Sequence, residues 1–477
     1  MKSGAIAAIV GIAASLTGAC AVGPRYIVPP VPMPAGYKEA EVSGTDFLRP
    51  AAPGDQVPRQ GWWELFNDQR LNELEARLQR GNVTIAEAAA RVDQARAVLR
   101  QDKALYAPVV TGTASATRAT SSPVTGQHPA AQTVNDFNVG ASATWEPDLW
   151  GRIRQTVASG TASAQAAIGD RESIGLSASA ELAADYFQLR AFASELSLLD
   201  RTIEAYGRAA TLTRNQYDAG VVSRADVEQA ETQLEAVRAD AIDVRLQRAQ
   251  TEHAIAALLG TPPADLTLEA LPLVGTPPAV PADLPSRILE RRPDVAAAER
   301  RVAAANAQVG IASTAFFPTV TLGASGGFLA SHLQQWLSWP MGVWSVGPAL
   351  AATLLDGGAR KAAKAQAVAS YDETVAAYRG TVISAFQDVE DNLAAQHLLA
   401  GEAELRTAAV AAAQRSLDIA TNQYRAGLVS YLQVTTAQTA LLDNQRTAVS
   451  LDARRFVAAV QLVRALGGGW SGSMSLN

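Results

Sequence analysis

Two long stretches without proline limit what this chain can fold into. Proline is absent from residues 148–261 and 349–477, and both stretches are rich in Ala, Leu, Gln, Glu and Arg, which favour helix. Apolar residues recur every three or four positions in 182–206 and again in 227–244, which is the spacing of a coiled-coil seam. The pattern predicts two long helices that meet at a turn near Gly220, the first of them roughly 100 Å long at ~1.5 Å per residue.

The chain also repeats itself. Residues 212–223 read LTRNQYDAGVVS and residues 419–430 read IATNQYRAGLVS, so a shift of 207 residues superimposes the two segments. Nearer the N-terminus the shift becomes 210, as in the pair Pro108 and Pro318. A duplication explains both shifts, and it predicts a second long helical hairpin whose turn lies near Gly427.

Two short strand-like segments precede each long helical stretch, which makes four in all. In three of them, at 138–145, at 319–325 and around 343–354, apolar residues at every second position alternate with Asn, Ser, Thr and Gly. Segments of ~10 residues with this period are typical of the wall of a transmembrane β-barrel, although a soluble hairpin explains each segment taken alone. Because sheet edges are not tolerated in lipid, four such strands must be completed by other copies of the chain.

The N-terminus has the features of a secretory signal. Lys2 is followed by an apolar core, and small residues then lead to Cys20, the only cysteine of the sequence. The segment LTGAC at 16–20 resembles the lipobox of bacterial lipoproteins, in which the cysteine is lipidated; a plain signal peptide cleaved nearby is the alternative. Ala21, which is not acidic, is typical of lipoproteins of the outer membrane. Eight prolines in 24–58 then predict an extended strap. Beyond the strap, a helical pattern begins at Trp62 and continues, with a break at Gly81 and Asn82, to about Leu105.

Composition excludes several kinds of function. Forty basic and 46 acidic residues give a net charge of -6, which leaves no surplus for nucleic-acid binding. A single cysteine permits neither an internal disulfide nor a cysteine-based zinc site, and the four histidines are isolated in sequence. We therefore expect no catalytic residue and no metal, and the chain is not expected to be an enzyme.

Five motifs are spread over nearly the whole mature chain: CAVGPRY at 20–26, WWELF at 62–66, the two NQYxAGxVS turns, RRPD at 291–294 and LGGGW at 466–470. With these motifs the sequence resembles the TolC-like outer-membrane efflux proteins, in particular the NodT-type lipoprotein branch that serves resistance-nodulation-division (RND) pumps. The resemblance implies a fold that is mainly α with a small β part. In that fold a homotrimer forms a transmembrane β-barrel, with four strands per protomer, and a long α-barrel of helical hairpins.

The resemblance also implies a function. The protein would be an outer-membrane exit duct that passively conducts small molecules and drugs, which an inner-membrane RND transporter expels through a periplasmic adaptor. It would be lipid-anchored in the outer membrane through Cys20, with the α-barrel in the periplasm, and it would need no cofactor besides that covalent lipid. Two other interpretations stay open: a duct for protein secretion, and a lipid-anchored coiled-coil structural protein without a pore.

The two hairpin turns are the candidate functional sites. Gly220 and Gly427 are expected to take the positive φ that ends a helix tightly. In the family, these tips form the closed periplasmic aperture, and a tyrosine of the second tip hydrogen-bonds a carboxylate of the first. The resemblance thereby assigns a latch, meaning this tip-to-tip hydrogen bond, to Tyr424 and Asp226. The remaining predicted gate residues flank the turns: Tyr217, Arg224 and Arg425.

The second tip departs from the family pattern at three positions. Val429 stands where relatives can carry a basic latch residue, and Gln433 and Thr436 stand where relatives can carry acids. An acidic ring contributed by the second repeat is therefore not expected, and Asp226 is the remaining acidic candidate.

The predicted division of the chain follows the duplication. We predict six segments: a signal peptide at 1–19, a lipid-anchored strap at 20–60, a first repeat at 61–270 with its β-hairpin at about 107–147, a linker at 271–283, a second repeat at 284–466 with its β-hairpin at about 317–356, and a tail at 467–477.

Overall fold

The computed structural model describes residues 22–31, 34, 36–39, 61–121, 132–278, 280, 292–335 and 337–468. The predicted signal peptide, Cys20 and most of the proline-rich strap lie outside these residues. Within the described ranges, no helix combines the length and the apolar character that crossing a membrane requires.

Seven α-helices and four β-strands make up the main elements of the described chain. The helices are α1 (Gln69–Gly81), α2 (Val83–Ala104), α3 (Arg152–Asp218), α4 (Arg224–Leu258), α5 (Pro293–Thr314), α6 (Ala359–Arg425) and α7 (Tyr431–Ala465). The strands are β1 (Val109–Ser121), β2 (Gln132–Trp145), β3 (Thr319–Ala330) and β4 (Gly342–Ala351). Both halves run helix, two strands, long helix and returning helix, as the duplication predicts.

The predicted long helices are present. Helices α3 and α6 each contain 67 residues, and the returning helices α4 and α7 each contain 35. At ~1.5 Å per residue, α3 and α6 are therefore each roughly 100 Å long. The predicted seams lie on the buried side, for example at Leu182 and Leu199 of α3 and at Val227 and Val244 of α4.

The four long helices form one layer. Helix α3 packs against α4, α6 packs against α7, and α7 also packs against α3, so the order across the layer is α4, α3, α7, α6. Leu199, Leu234 and Val434 belong to the apolar cluster that holds this layer together in the half nearest the hairpin turns. The outer helices α4 and α6 expose large apolar side chains, among them Ile242 and Leu405. The layer therefore has two edges that could pack against further helices.

The predicted start of the first helix is wrong by several residues. We expected helix from Trp62, but residues Trp62–Phe66 form a short 3-10 helix and α1 begins only at Gln69. The reason is local, because Asn67 has φ 50° and interrupts the helical path. Asp68 then caps α1, and its carboxylate accepts hydrogen bonds from the first backbone amides of the helix.

A second core joins the short helices to the parts of the long helices that lie farther from the hairpin turns. Phe187 lies at its centre, with ring centroids 4.9 Å from Phe66 and 4.7 Å from Phe456. Arg292 starts α5 there: its guanidinium pairs with Asp294 at 2.7 Å and with Asp388 of α6 at 3.0 Å. A single side chain thus ties the start of α5 to a neighbouring long helix.

The four strands form one antiparallel sheet in the order β1-β2-β3-β4. The register places Ala324 opposite Val346 and Ser325 opposite Ser345, and the two serine hydroxyls are 2.9 Å apart. The apolar face continues across the sheet, where Val139 pairs with Phe328 on one side and with Ala114 on the other. The alternation in the sequence therefore produces one apolar and one polar face, as predicted.

Candidate functional site

The two hairpin turns share one backbone geometry. Gly220 has φ 73° and Gly427 has φ 71°, which is the left-handed conformation that the sequence predicts. In the first turn, the amides of Val221 and Gly220 donate to the carbonyls of Gln216 and Tyr217. The residues 207 positions later make the same pair of bonds, and in both turns this pattern is a Schellman motif that ends the long helix.

The helices that follow the turns begin differently. Ser223 caps α4, since its Oγ accepts from Asp226 N at 3.3 Å while the Asp226 carboxylate accepts from Ser223 N at 3.0 Å. This reciprocal arrangement is a capping box. Ser430 occupies the same position before α7, but its side chain makes no capping bond, and Gln433 replaces the aspartate. Asp226 therefore has a local structural role that its counterpart lacks.

The two tips contact each other through Tyr424. Its hydroxyl donates to Gln216 Oε1 at 3.3 Å, a bond that runs from α6 to α3. Its ring lies 5.3 Å from the ring of Tyr431, which is buried. Tyr217, the counterpart of Tyr424 in the first repeat, is exposed. The two repeats therefore differ in structure at the tip, because Tyr424 joins the two hairpins and the equivalent Tyr217 does not.

Burial and charge both keep the tip phenols protonated. Burial, with a smaller effect of the Asp226 carboxylate, raises the pKa of Tyr424. Burial is also the main cause that raises the pKa of Tyr431, and it raises the pKa of Tyr206 in the same cluster to about 12. Tyr424 consequently remains a hydrogen-bond donor throughout the physiological pH range.

The predicted latch between Tyr424 and Asp226 stays a prediction, and within one protomer Tyr424 has a different acceptor. We expected Tyr424 to hydrogen-bond Asp226, but in this protomer Tyr424 donates to Gln216, and the Asp226 carboxylate accepts from Ser223 Oγ at 2.8 Å. The capping box turns that carboxylate toward the start of its own helix, which leaves the amide oxygen of Gln216 as the acceptor that faces α6. The charge of Asp226 adds to burial in raising the pKa of Tyr424.

The two predicted arginines are exposed and do not join the tips within the described residues. Arg224 pairs with Glu228, one turn further along its own helix, at 3.2 Å. Arg425 is exposed at the end of α6. Both positions are accessible to a partner, and their part in a gate or in adaptor contact stays a prediction.

Sequence reasoning missed Gln216 as a contact residue. The NQY motif contains a glutamine in both copies, but Gln423 in the second copy is exposed while Gln216 is half-buried. The motif therefore marks the turn without showing which copy makes the contact.

A second missed group lies on the long helices, away from the hairpin turns. Arg446 of α7 donates to Glu195 of α3 at 2.8 Å and to Asp240 of α4 at 2.9 Å. One side chain thus connects three of the four long helices. Its partners lie more than 200 positions away in the chain, so the spacing of charges along any one helix does not reveal them.

The described residues contain no group of His, Cys, Asp and Glu side chains that could hold a metal ion. Instead, a two-faced sheet with open edges stands at one end of helices roughly 100 Å long, and the two turns lie together at the other end. This combination defines a class, the channel proteins that insert a β-sheet in a membrane and extend a helical conduit from it.

The family follows from comparison with known sequences. The sequence profile described as "Outer membrane efflux protein" matches residues 74–261 and 284–468. The chain belongs to this family, and it is an outer-membrane channel for efflux.

Individual relatives agree with this assignment. The chain is 31% identical over 473 residues to the toluene efflux pump outer membrane protein TtgC of Pseudomonas putida, covering 96% of this chain and 94% of TtgC. It is 27% identical to the probable outer membrane lipoprotein SilC of Salmonella typhimurium, covering 95% of this chain and 96% of SilC. The solved structure of the outer-membrane channel OprN superimposes with a TM-score of 0.88 at 30% identity, covering 95% of this chain and 100% of OprN.

Proposed function

We propose that this channel is a homotrimer whose lumen is the exit duct of a tripartite efflux pump. Small molecules expelled by an inner-membrane RND transporter would enter at the tips, where a periplasmic adaptor docks, and leave through the sheet. The observation that carries the proposal is the open sheet. Within the described sheet, β1 and β4 each pair on one side only, and Val346 and Leu350 are exposed on the apolar face.

A single threefold axis would complete both the sheet and the layer of long helices. Each copy supplies four strands, so a trimer has twelve, which is an even number within the range of outer-membrane barrels. The same rotation would bring α4 of one protomer against α6 of the next and cover Ile242 and Leu405. The sheet edges and the exposed helical apolar residues therefore have the same explanation.

The paired tips are proposed as the gate. Tyr424 and Gln216 hold the second hairpin against the first, and the contact lies beside two turns that are exposed at the end of the helices. The duct itself works without catalysis or a bound cofactor, so the energy for transport comes from the pump.

The anchor is a separate proposal. We propose that Cys20 is lipidated, which is supported by the LTGAC segment and by the name of the relative SilC as a lipoprotein. Mass spectrometry of the mature N-terminus tests this directly. An acylated Cys20 is the expected result, and an unmodified N-terminus at another residue would contradict it.

The substrates are proposed to be apolar small molecules and drugs. The support lies in relatives that are named for toluene and antibiotic efflux and that match along nearly the full length of this chain. Deleting the gene should increase sensitivity to both classes of compound. A secretion defect with unchanged sensitivity would instead favour a protein-secretion duct.

The assembly is tested by the mass of the purified mature protein in mild detergent, together with conductance in a planar bilayer. Stable trimers that conduct weakly, with rare openings, are the expected result. Monomers that conduct no current would overturn the duct and favour a lipid-anchored helical rod.

A further inference from the structure

A cleft lies where the helices meet the sheet, and the channel function does not require it. The cleft has a volume of about 820 Å³, is open to solvent, and is bordered by the first described residues of the chain, by α3 and by α5. Arg25, Arg154 and Arg300 line it, together with Tyr26 and Tyr106. Arginines and aromatic rings around one cavity suit a ligand that is anionic at one end and apolar at the other.

The cleft lies at the base of the sheet. The carbonyl of Tyr106 accepts from the indole Nε1 of Trp145, the last residue of β2, at 3.0 Å. The described N-terminal segment also starts beside the base of the sheet, since Val22 N donates to the carbonyl oxygen of Trp150, between β2 and α3, at 3.1 Å. Arg154 is the third residue of α3, so it lies within one helical turn of the base of the sheet. The headgroup layer on one side of a bilayer is roughly 5–8 Å thick, which is one to two helical turns.

An apolar rim of exposed side chains lies at the ends of the strands nearest the helices. Leu354 and Leu355, which follow β4, are each 92% exposed. Phe316 and Phe317, which precede β3, are also exposed, as is Tyr106 before β1. Aromatic and aliphatic side chains at the ends of membrane strands are typical of the boundary between acyl chains and headgroups.

Helix stability does not explain the arginines beside this rim. Arg152 and Arg154 stand in the first turn of α3, where the positive end of the helix dipole disfavours cations. Glu146 and Asp148 offset this repulsion at 2.8 Å and 2.9 Å respectively.

The cleft retains an uncompensated positive charge. Arg154 is paired with Asp148, and Arg300 is paired with Glu299, which also accepts from the Tyr26 hydroxyl. Arg25 is exposed at the cleft, and no carboxylate in the described part of the chain lies within ion-pair distance of it. An anion from outside the protein would balance this charge.

We propose that this cleft binds the phosphate of an anionic phospholipid from the adjacent leaflet. Arg25 and Arg154 would contact the phosphate, and the acyl chains would lie against Tyr106 and Phe316. The apolar rim and the continuity with the membrane-inserted sheet favour a lipid over free phosphate. The proposal requires the outer-membrane location but neither the trimer nor the gate.

Native mass spectrometry of the purified mature protein tests the proposal by titration with dioleoylphosphatidylglycerol. Dioleoylglycerol, which has the same acyl chains and no phosphate, is the matched lipid control. Arg25→Gln should weaken phosphatidylglycerol binding about fivefold, the size expected for one basic residue at an anionic surface. Arg25→Lys should retain most of the affinity. The matched protein control is Arg238→Gln, an exposed arginine of α4 paired with Glu235, which should bind like wild type.

Three outcomes would overturn the lipid site. Equal binding of dioleoylglycerol would show that the phosphate is not recognised. Equal loss in Arg25→Gln and Arg238→Gln would show that only net charge matters. Complete displacement of the lipid by millimolar inorganic phosphate would show that the cleft binds free anions. Circular dichroism of each variant shows that the fold is retained, and since Arg25 is exposed no loss of helix is expected.

Discussion

The hydroxyl of Tyr424 donates to Gln216 Oε1 at 3.3 Å and so joins the second helical hairpin to the first. Tyr217 occupies the equivalent position of the first repeat, and it is exposed. A sequence duplication has therefore produced two turns with the same backbone geometry and different contacts. This difference allows one tyrosine to be tested against the other in the same protein.

Replacing Tyr424 by Phe should raise the open probability of the channel. The change removes one neutral hydrogen bond, worth ~0.5–1.5 kcal/mol, and keeps the ring that packs on Tyr431. The ratio of closed to open channels should therefore fall up to roughly tenfold for each hydrogen bond that is lost. Single-channel recording in planar bilayers measures the effect, and Gln216→Ala should reproduce it. Tyr217→Phe is the matched control, and an equal effect there would exclude the tip contact as the cause.

Replacing Asp226 by Ala should act mainly on stability. The change removes the capping box of α4, and loss of a helix cap costs ~1 kcal/mol. Thermal unfolding followed by circular dichroism should show a lower transition temperature, with a smaller change in open probability than Tyr424→Phe causes. Gln433→Ala alters the equivalent position of the second repeat, where no capping bond exists, and should leave the transition unchanged. A larger gating effect for Asp226→Ala than for Tyr424→Phe would identify the aspartate as the main latch residue.

Replacing Arg292 by Met should destabilise the protein more than the loss of an exposed ion pair does. The guanidinium is only 11% exposed and is paired with Asp294 and Asp388, so its removal leaves two carboxylates without their cation. Because the side chains of Asp294 and Asp388 are 32% and 38% exposed, water can replace part of the lost interaction, and the expected cost is about 1–3 kcal/mol. Arg301→Met is the control, because Arg301 forms an exposed pair with Asp170, and such pairs contribute ~0–1 kcal/mol. Similar melting temperatures for the two variants would show that Arg292 does not anchor the core.

Stability should fall as pH rises from about 4.5 to about 8 because of Glu75. Burial raises the pKa of Glu75 from 4.5 to about 8, although Ser179 Oγ donates to its carboxylate at 2.8 Å. Between these values the folded state holds a proton that the unfolded state has lost, so each pH unit costs up to about 1.4 kcal/mol. Glu75→Gln removes this cost and should melt at a higher temperature than wild type at pH 8, but not at pH 4.5. Parallel melting curves across this pH range would contradict the assignment.

Local patterns in the sequence were sufficient for much of the fold. The three- and four-residue spacing of apolar side chains marked α3 and α4, and the alternation around Ala324 and Val346 marked the two-faced sheet. Helix and strand periods depend only on neighbours along the chain, so they can be read without knowing the packing. The start of α1 was missed because the left-handed conformation of Asn67 has no comparable pattern in the sequence.

The sequence by itself determined the helices, the strands, the two turns and the family, because each rests on local periodicity or on a motif. The tertiary structure alone decided which copy of a repeated residue makes a contact. Tyr217 lies at the end of α3, which packs against both α4 and α7, whereas Tyr424 lies at the end of α6, which is at the edge of the layer and packs against α7. The environments of the two tyrosines therefore differ although their motifs match. The partner of Tyr424 was likewise set by packing, since the capping box holds Asp226 away and leaves Gln216 as the acceptor.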